Sequence, residues 1–172
     1  MRLNLIKFGT VKSTNDIAIE IIRSKKSNAG IIVSDNQTKG RGTMGKQWIS
    51  LNGNLFASIF FQLKKNMPKP KEFSLINPLI INRVLNKYSR IDIKIKWPND
   101  LLIKSRKVCG ILQELIKIDK KNFLIIGIGI NTINSPNNKK FKSISLLECS
   151  DKMINNYEIL TNLKNNYELC NW

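Results

Sequence analysis

At 172 residues, 42% hydrophobic and 24% charged, the chain has the composition of a globular protein with one buried core, and no apolar run nears the ~20 residues that cross a bilayer. It has no histidine, which excludes Ser-His and Cys-His nucleophilic schemes, and its three cysteines, Cys109, Cys149 and Cys170, are spaced too widely for a zinc pair and suit a reducing cytoplasm. Its 29 basic against 12 acidic residues give a formal charge of +17, which fits an acidic partner or a bare compositional bias toward Lys, Asn and Ile.

The N-terminal "MRLNLIKFGTVKSTND" has no continuous apolar core followed by a small-residue cleavage site, so it does not read as a secretory signal. Ile6 to Val11 predicts an extended segment ending at "STND". Ser13 or Thr14 is placed to cap a helix carrying Ile17, Ile19, Ile21 and Ile22. "AGIIVSDNQ" (29–37) reads as a buried strand, "TKGRGTMGKQ" (38–47) as a loop, and "NLFASIFFQL" (54–63) as a second apolar strand after an Asn52-Gly53 turn.

"INPLIINRVLNKYS" (76–89) predicts an amphipathic helix capped by Asn77, with Pro78 first and Leu79, Ile80, Val84, Leu85 and Tyr88 on one face. "RIDIKIKW" (90–97) alternates, with Ile91, Ile93 and Ile95 inward, until Pro98 ends the strand. "DLLIK" and "KVCGILQELIKI" pair across a turn at Ser105-Arg106, and "DKKN" turns into the buried strand "FLIIGIGIN" (123–131). A polar loop follows from Asn134 to Lys142, then a short helix near Ile144–Glu148 and an amphipathic one near Tyr157–Tyr167. Neither repeat nor linker divides the chain, so residues 1–172 read as one α+β domain: a mixed, largely antiparallel sheet with helices packed on one face.

Three stretches carry chemistry. "GRGTMGKQ", from Gly40 to Gln47, nearly spells the phosphate loop G-x-x-x-x-G-K-S/T. Gln47 replaces the hydroxyl that would hold magnesium, and "QWISLNGN" opens no helix, so that reading is rejected. Its glycines with Arg41 and Lys46 can still wrap an anion; a flexible exposed turn would leave the same trace. "GIGIN" (127–131) lacks the third glycine and following helix of a dinucleotide fingerprint, and on its own marks tight packing. "KWPNDLLIKSRKVCGIL" (96–112) crowds Lys96, Lys104, Arg106 and Lys107 around Asn99-Asp100, which suits a nucleotide phosphate with its metal, or a solvated hairpin.

Taken in order, these pieces resemble the catalytic domain of the biotin protein ligases (biotin–acetyl-CoA-carboxylase ligases). "STN" at 13–15 is similar to their first ligand segment, and "NQTKGRGTMGKQW" resembles their Q-x-x-G-R-G-x-x-G-x-x-W loop. "KWPNDL" matches directly, "RKVCGIL" with Glu114 resembles the K-x-x-G-I-L-x-E strand, and "GIGIN" resembles the closing strand. The resemblance spans residues 13 to 131. It implies the fold shared with class II aminoacyl-tRNA synthetases, and a cytoplasmic enzyme. Such an enzyme joins biotin and ATP, with Mg2+, into biotinyl-5'-AMP and pyrophosphate, then passes biotin to a lysine of a carboxylase's biotin carboxyl carrier domain.

Carried over by position, Ser13, Thr14, Asn15 and Gln37 would hydrogen-bond biotin. Gly40, Arg41 and Gly42 would wrap carboxylate and phosphates. Lys107 would be the central cation, with Gly110 beside biotin. Lys46, Trp48, Asn99 and Asn131 would face the nucleotide, and Asp100 would bind magnesium or lie on the incoming amine's side.

The family's loop commonly has arginine where this chain has Thr43. A site beginning at residue 13 implies no N-terminal winged-helix domain, and an end at Trp172 implies no small C-terminal β-barrel. Neither DNA nor membrane is an expected partner, and the sequence does not choose between monomer and homodimer. Two rival readings stand: a lipoate or octanoate enzyme of the same fold, whose transferase form needs a catalytic cysteine, and a non-catalytic basic nucleic-acid-binding module. The latter calls for exposed aromatics among the basic residues, whereas most Phe and Tyr here fall at core-like positions.

Overall fold

A computed structural model describes residues 1–137 and 141–170, so part of the expected polar loop and the chain end at Trp172 lie outside the described residues. Seven strands form one sheet: β1 (Asn4–Val11), β2 (Ala29–Gln37), β3 (Leu55–Gln62), β4 (Lys94–Lys96), β5 (Asp100–Ile103), β6 (Arg106–Ile118) and β7 (Lys121–Ile130), in the order β1-β2-β3-β7-β6-β5-β4. Only β1 and β2 pair in parallel; every other neighbouring pair is antiparallel. The expected mixed, largely antiparallel sheet is therefore present.

The helices are α1 (Thr14–Arg23), α2 (Phe73–Leu85) and α3 (Asn156–Leu169). They do not all pack on one face. Successive residues of a strand point to opposite sides, and both sides of the central strands are apolar. Ile31, Ile59, Leu124 and Ile126 meet α2 and α3 through Phe73, Ile81, Leu163 and Tyr167. Ile32, Phe60, Phe123 and Ile125 meet α1 through Ala18 and Ile22. A strand apolar on both faces needs a cover on each, and α1 supplies the second.

α2 begins at Phe73, ahead of the expected start, with Pro78 inside it. Proline favours the first helical position because it has no N–H to leave unpaired. Here Phe73, buried against Phe61 with ring centroids 5.6 Å apart, anchors an earlier turn, and the bond lost at Pro78 is outweighed. Asn77 is therefore no cap. It is buried, donates to Gln113 Oε1 (2.9 Å) and accepts from Tyr167 Oη (3.0 Å), joining α2 to β6 and α3. The buried face takes Ile81 in place of Leu79, which is exposed.

The "RIDIKIKW" strand shrinks to Lys94–Lys96, although Ile93 is buried and Ile91 and Ile95 pack against the core as the alternation predicts. The turn between β5 and β6 falls on Lys104 and Ser105, both at positive φ, one residue before the expected place. Near Ile144–Glu148 only a short 3-10 turn forms, Leu147–Cys149.

Candidate active site

α1 packs on β2, β3 and the part of β7 that carries Phe123 and Ile125, and a cavity lies beyond it along that strand. Its floor is made by Gly110 of β6 and by Gly127 and Gly129 of β7, which pair as Gly110↔Gly129 and Leu112↔Gly127. Glycine is required there because other residues occupy the space a side chain would need. A Cβ on Gly129 would lie 2.4 Å from Trp48 Cε2, and one on Gly110 2.5 Å from Trp48 Cζ3. On Gly127 it would lie 2.5 Å from Asn15 Oδ1. The cavity has a volume of about 360 Å³.

Every residue expected from the sequence lines this cavity except Gly40: Ser13, Thr14, Asn15, Gln37, Arg41, Gly42, Lys46, Trp48, Asn99, Asp100, Lys107, Gly110 and Asn131. Gly40 acts one step back. Its carbonyl accepts from Trp48 N (2.9 Å), and a Cβ there would meet Trp48 O at 2.7 Å, so only glycine lets the two ends of the loop close.

Lys107 and Gly110 are three residues apart and would point to opposite faces of a regular strand. The β5–β6 register slips between Leu101 and Leu102, where Leu102 pairs with Lys107 but Leu101 with Cys109. That bulge re-aims the lysine onto the glycine floor. Its Nζ lies 2.6 Å from Asp100 Oδ1 and 5.3 Å from the Trp48 ring centroid. Asp100 stands directly across the ladder from Gly110. Carboxylate and ammonium thus meet at the edge of the floor, with the Trp48 ring against Gly110 and Gly129.

The first turn of α1 is wired into a chain of side-chain bonds. Asn15 donates to Glu114 Oε2 (2.7 Å), and its Oδ1 contacts Ser58 Oγ. Ser58 Oγ lies 2.7 Å from Thr14 Oγ1, and Gln37 Oε1 accepts from Thr14 N at 2.9 Å. Gln37 Nε2 then donates to Ser50 Oγ (3.3 Å). Both amide ends of Asn15 are engaged within the fold, so it orients its neighbours. Ser13 holds the N-cap position with no side-chain bond to the helix.

Arg41 lines the cavity with its guanidinium engaged by carboxylates. It forms a bidentate pair with Glu114 (2.9 and 2.8 Å) and a third contact with Asp16 (2.9 Å). Thr43 Oγ1 accepts from Asn99 Nδ2 at 3.3 Å, joining the glycine loop to the "KWPND" turn, whose Trp97-Pro98 peptide is cis. Among the described residues, Asn131 Oδ1 and Trp48 Nε1 are buried polar atoms without a partner, and both residues line the cavity. Unpaired buried groups are costly, so these two are matched to a bound molecule with a donor and an acceptor.

Sequence reasoning gave no role to Glu114, Asp16 or Ser58, and read Gly127 and Gly129 as marks of tight packing, which Asn15 and Trp48 supply there. The glutamate that closes "RKVCGILQE" was visible as a motif position, but its partner Arg41 lies 73 residues away.

The family model described as the biotin/lipoate A/B protein ligase family matches residues 8–131. The chain is similar to the bifunctional ligase/repressor BirA of Bacillus subtilis, 33% identical over 139 residues that make up 80% of this chain and 43% of that protein. It is 36% identical to Escherichia coli BirA over 123 residues, 70% of this chain and 38% of that one. The chain thus spans about half, or less, of the length of these curated relatives. The solved biotin protein ligase of Aquifex aeolicus in complex with biotin and ATP superposes with a TM-score of 0.79 at 32% identity, over 96% of this chain and 68% of that one. The Leishmania major biotin protein ligase with biotinyl-5-AMP reaches 0.82 at 24% identity over 95% of this chain and 72% of that one, a likeness of fold.

Proposed function

The chain belongs to the biotin/lipoate A/B protein ligase family, and from that premise we propose that it is an ATP-dependent biotin–protein ligase. Biotin's carboxylate attacks the α-phosphate of ATP, pyrophosphate leaves, and biotinyl-5'-AMP forms. The amine of a lysine on a biotin carboxyl carrier domain then attacks the acyl carbon; AMP leaves, one proton is released, and an amide remains. The carrying observation is that residues from five separate segments (13–15, 37–48, 96–100, 107–112 and 127–131) line one cavity above a glycine floor. The Aquifex aeolicus relative, solved with biotin and ATP, supports the choice of both substrates.

The chemistry suits a chain without histidine. In-line attack at phosphorus depends on alignment and charge neutralisation more than on a protein base. Lys107 faces the carboxylate and the α-phosphate together, and Lys46 extends the positive wall toward the leaving pyrophosphate. Thr14 and Gln37, with their polarity fixed by the chain of bonds around them, and Ser13 hold the biotin end. Asn99 and Asn131 hold the nucleotide, where the unpartnered Asn131 Oδ1 takes a donor from it. Trp48 covers the ligand from the loop side.

Among the described residues no three carboxylates, cysteines or histidines cluster as a resident metal site. Asp100 is one carboxylate, already facing Lys107. That donor set fits magnesium carried on the nucleotide's phosphates, which commonly takes one or two protein carboxylates. Bound so, magnesium would neutralise phosphate charge. No described helix is long and apolar enough to cross a membrane, and a cytoplasmic location is part of this proposal.

Mixing the protein with ATP and biotin, with lipoate in a parallel arm, tests the reading. Pyrophosphate should appear with biotin, and biotin should raise the melting temperature by mass action. Release driven by lipoate alone would move the assignment to the lipoate enzymes, and silence in both arms would remove it.

A further inference from the structure

Arg41 lies in the loop where a phosphate-neutralising cation was expected, yet its guanidinium is already engaged by the fold. Glu114 takes both of its terminal nitrogens, at 2.9 and 2.8 Å, and Asp16 Oδ1 lies 2.9 Å from Nη2. Two carboxylates face one cation, so its charge is compensated before any ligand arrives. Reaching a phosphate would cost Arg41 both of these carboxylate contacts. Bidentate guanidinium–carboxylate pairs are also among the most directional charge-assisted bonds.

Glu114 in turn is held from a third direction. Its Oε2 accepts from Asn15 Nδ2 at 2.7 Å, and Asn15 is only 2% exposed, wedged over Gly127. The carboxylate therefore has a fixed place on the sheet. The loop is a stiff unit as well: Gly42 N donates to Lys46 O (2.7 Å), Trp48 N to Gly40 O (2.9 Å), and Arg41 bridges Gln47. A stiff loop fastened at Arg41 to an immobile carboxylate brings Trp48 down on the glycine floor. Among the described residues Lys46 makes no ion pair, and Lys107 makes one.

We infer that Arg41 and Glu114 form a latch that holds the loop of residues 38–48 over the cavity, with Glu114 as the positioning residue. Neutralising the phosphates falls to Lys107 and Lys46. The kinetic half of this inference rests on the ligase reading; the structural half does not.

The experiment compares Arg41→Gln, Glu114→Gln and the double variant. In ligand-free protein, hydrogen exchange at the Gly42, Lys46 and Trp48 amides should speed up by the same factor in all three, while β3 and β7 amides stay protected and report an intact fold. In biotin-dependent pyrophosphate release, each variant should raise the KM for biotin roughly ten- to hundredfold, the size of one lost charge-assisted pair. The double variant should be no worse than Arg41→Gln alone, as expected when Glu114 acts through Arg41. Two results overturn the latch. One is Arg41→Gln lowering kcat a hundredfold more than Glu114→Gln does, which would put Arg41 on the reacting phosphate. The other is loop exchange unchanged in both single variants. If wild type releases no pyrophosphate, the ligase reading fails, and the exchange rates still decide the latch.

Discussion

Lys107 reaches the cavity only through the bulge that breaks strict alternation in β6. In the proposed reaction it is the residue on which adenylation most depends. Lys107→Ala should lower the rate of pyrophosphate release on the order of a hundredfold, the loss typical of one preorganised donor. The fold should survive, because the side chain is 23% exposed and its removal opens no core cavity, while Asp100 stays in reach of water. Near-normal release by the folded variant would sink the assignment. Cys109 gives the opposite expectation. It is fully buried, burial pushes its thiol well above the ordinary range, and it therefore stays protonated far above neutral pH. A thiol kept neutral is a poor nucleophile. An alkylating reagent should spare Cys109 in the native protein, and Cys109→Ala should keep biotin-dependent pyrophosphate release. Rapid labelling of Cys109, or loss of release in that variant, would revive the cysteine-dependent transferase. The contiguous motifs were legible in the sequence, since each cavity-lining candidate sits within a short recognisable stretch. The Arg41–Glu114 pair was not, because nothing in either stretch names a partner on another strand.

In the proposed reaction the loop from 38 to 48 is the element on which retention of the intermediate turns. Biotinyl-AMP is a mixed anhydride, reactive toward any amine and safe only while enclosed. One fastening is the Thr43 hydroxyl, which takes a 3.3 Å bond from Asn99. An arginine, as the family's loop commonly carries there, adds a charge-assisted bond of about 1.5–3 kcal/mol to the ligand or within the loop. Thr43→Arg should then reduce biotinylation of a bystander protein while adenylation continues. If wild type labels no bystander and the substitution changes nothing, the latch at Arg41 suffices alone.

Glu168 of α3 fastens the start of β1 to the helix. Glu168 accepts from Lys164 Nζ (2.7 Å) and from Leu3 N (2.6 Å), and these bonds, Lys164's first, hold its carboxyl below the ordinary value of 4.5. A lowered carboxyl pKa means stability that is present above the ordinary value and lost as pH falls through the lowered one. Exchange at Leu3 and the first β1 amides should therefore accelerate below about pH 4.5 in wild type, and Glu168→Gln should remove that acid step. An identical acid profile in both proteins would place the pH response elsewhere. The strands were the legible elements, because an apolar run of eight or nine residues between turn signals leaves few alternatives. α2 was misplaced because its start depends on Phe73 finding Phe61 across the fold, which no local pattern carries.

The whole molecule carries +17, and the sequence alone did not say why. Among the described residues the ion pairs do not include Lys39 and Lys46 of the glycine loop or Lys96 beside the "KWPND" turn, and Lys46 and Lys96 line the cavity. The proposed transfer step requires a whole protein domain to approach this region. The carrier domains that the family resemblance implies tend to be acidic, so attraction should speed encounter more than it strengthens the complex. Adenylation involves small ligands gripped inside the cavity, where neighbouring charges are screened less. Surface attraction is screened over ~10 Å at 0.1 M salt. Raising salt should therefore slow transfer from preformed biotinyl-AMP to the carrier domain more steeply than it slows pyrophosphate release. Substituting glutamine at Lys39 and at Lys94, which flank the site region without lining the cavity, should flatten that extra salt dependence. Equal salt sensitivity of the two half-reactions would mean that the charge reflects a compositional bias toward lysine and does not guide the acceptor.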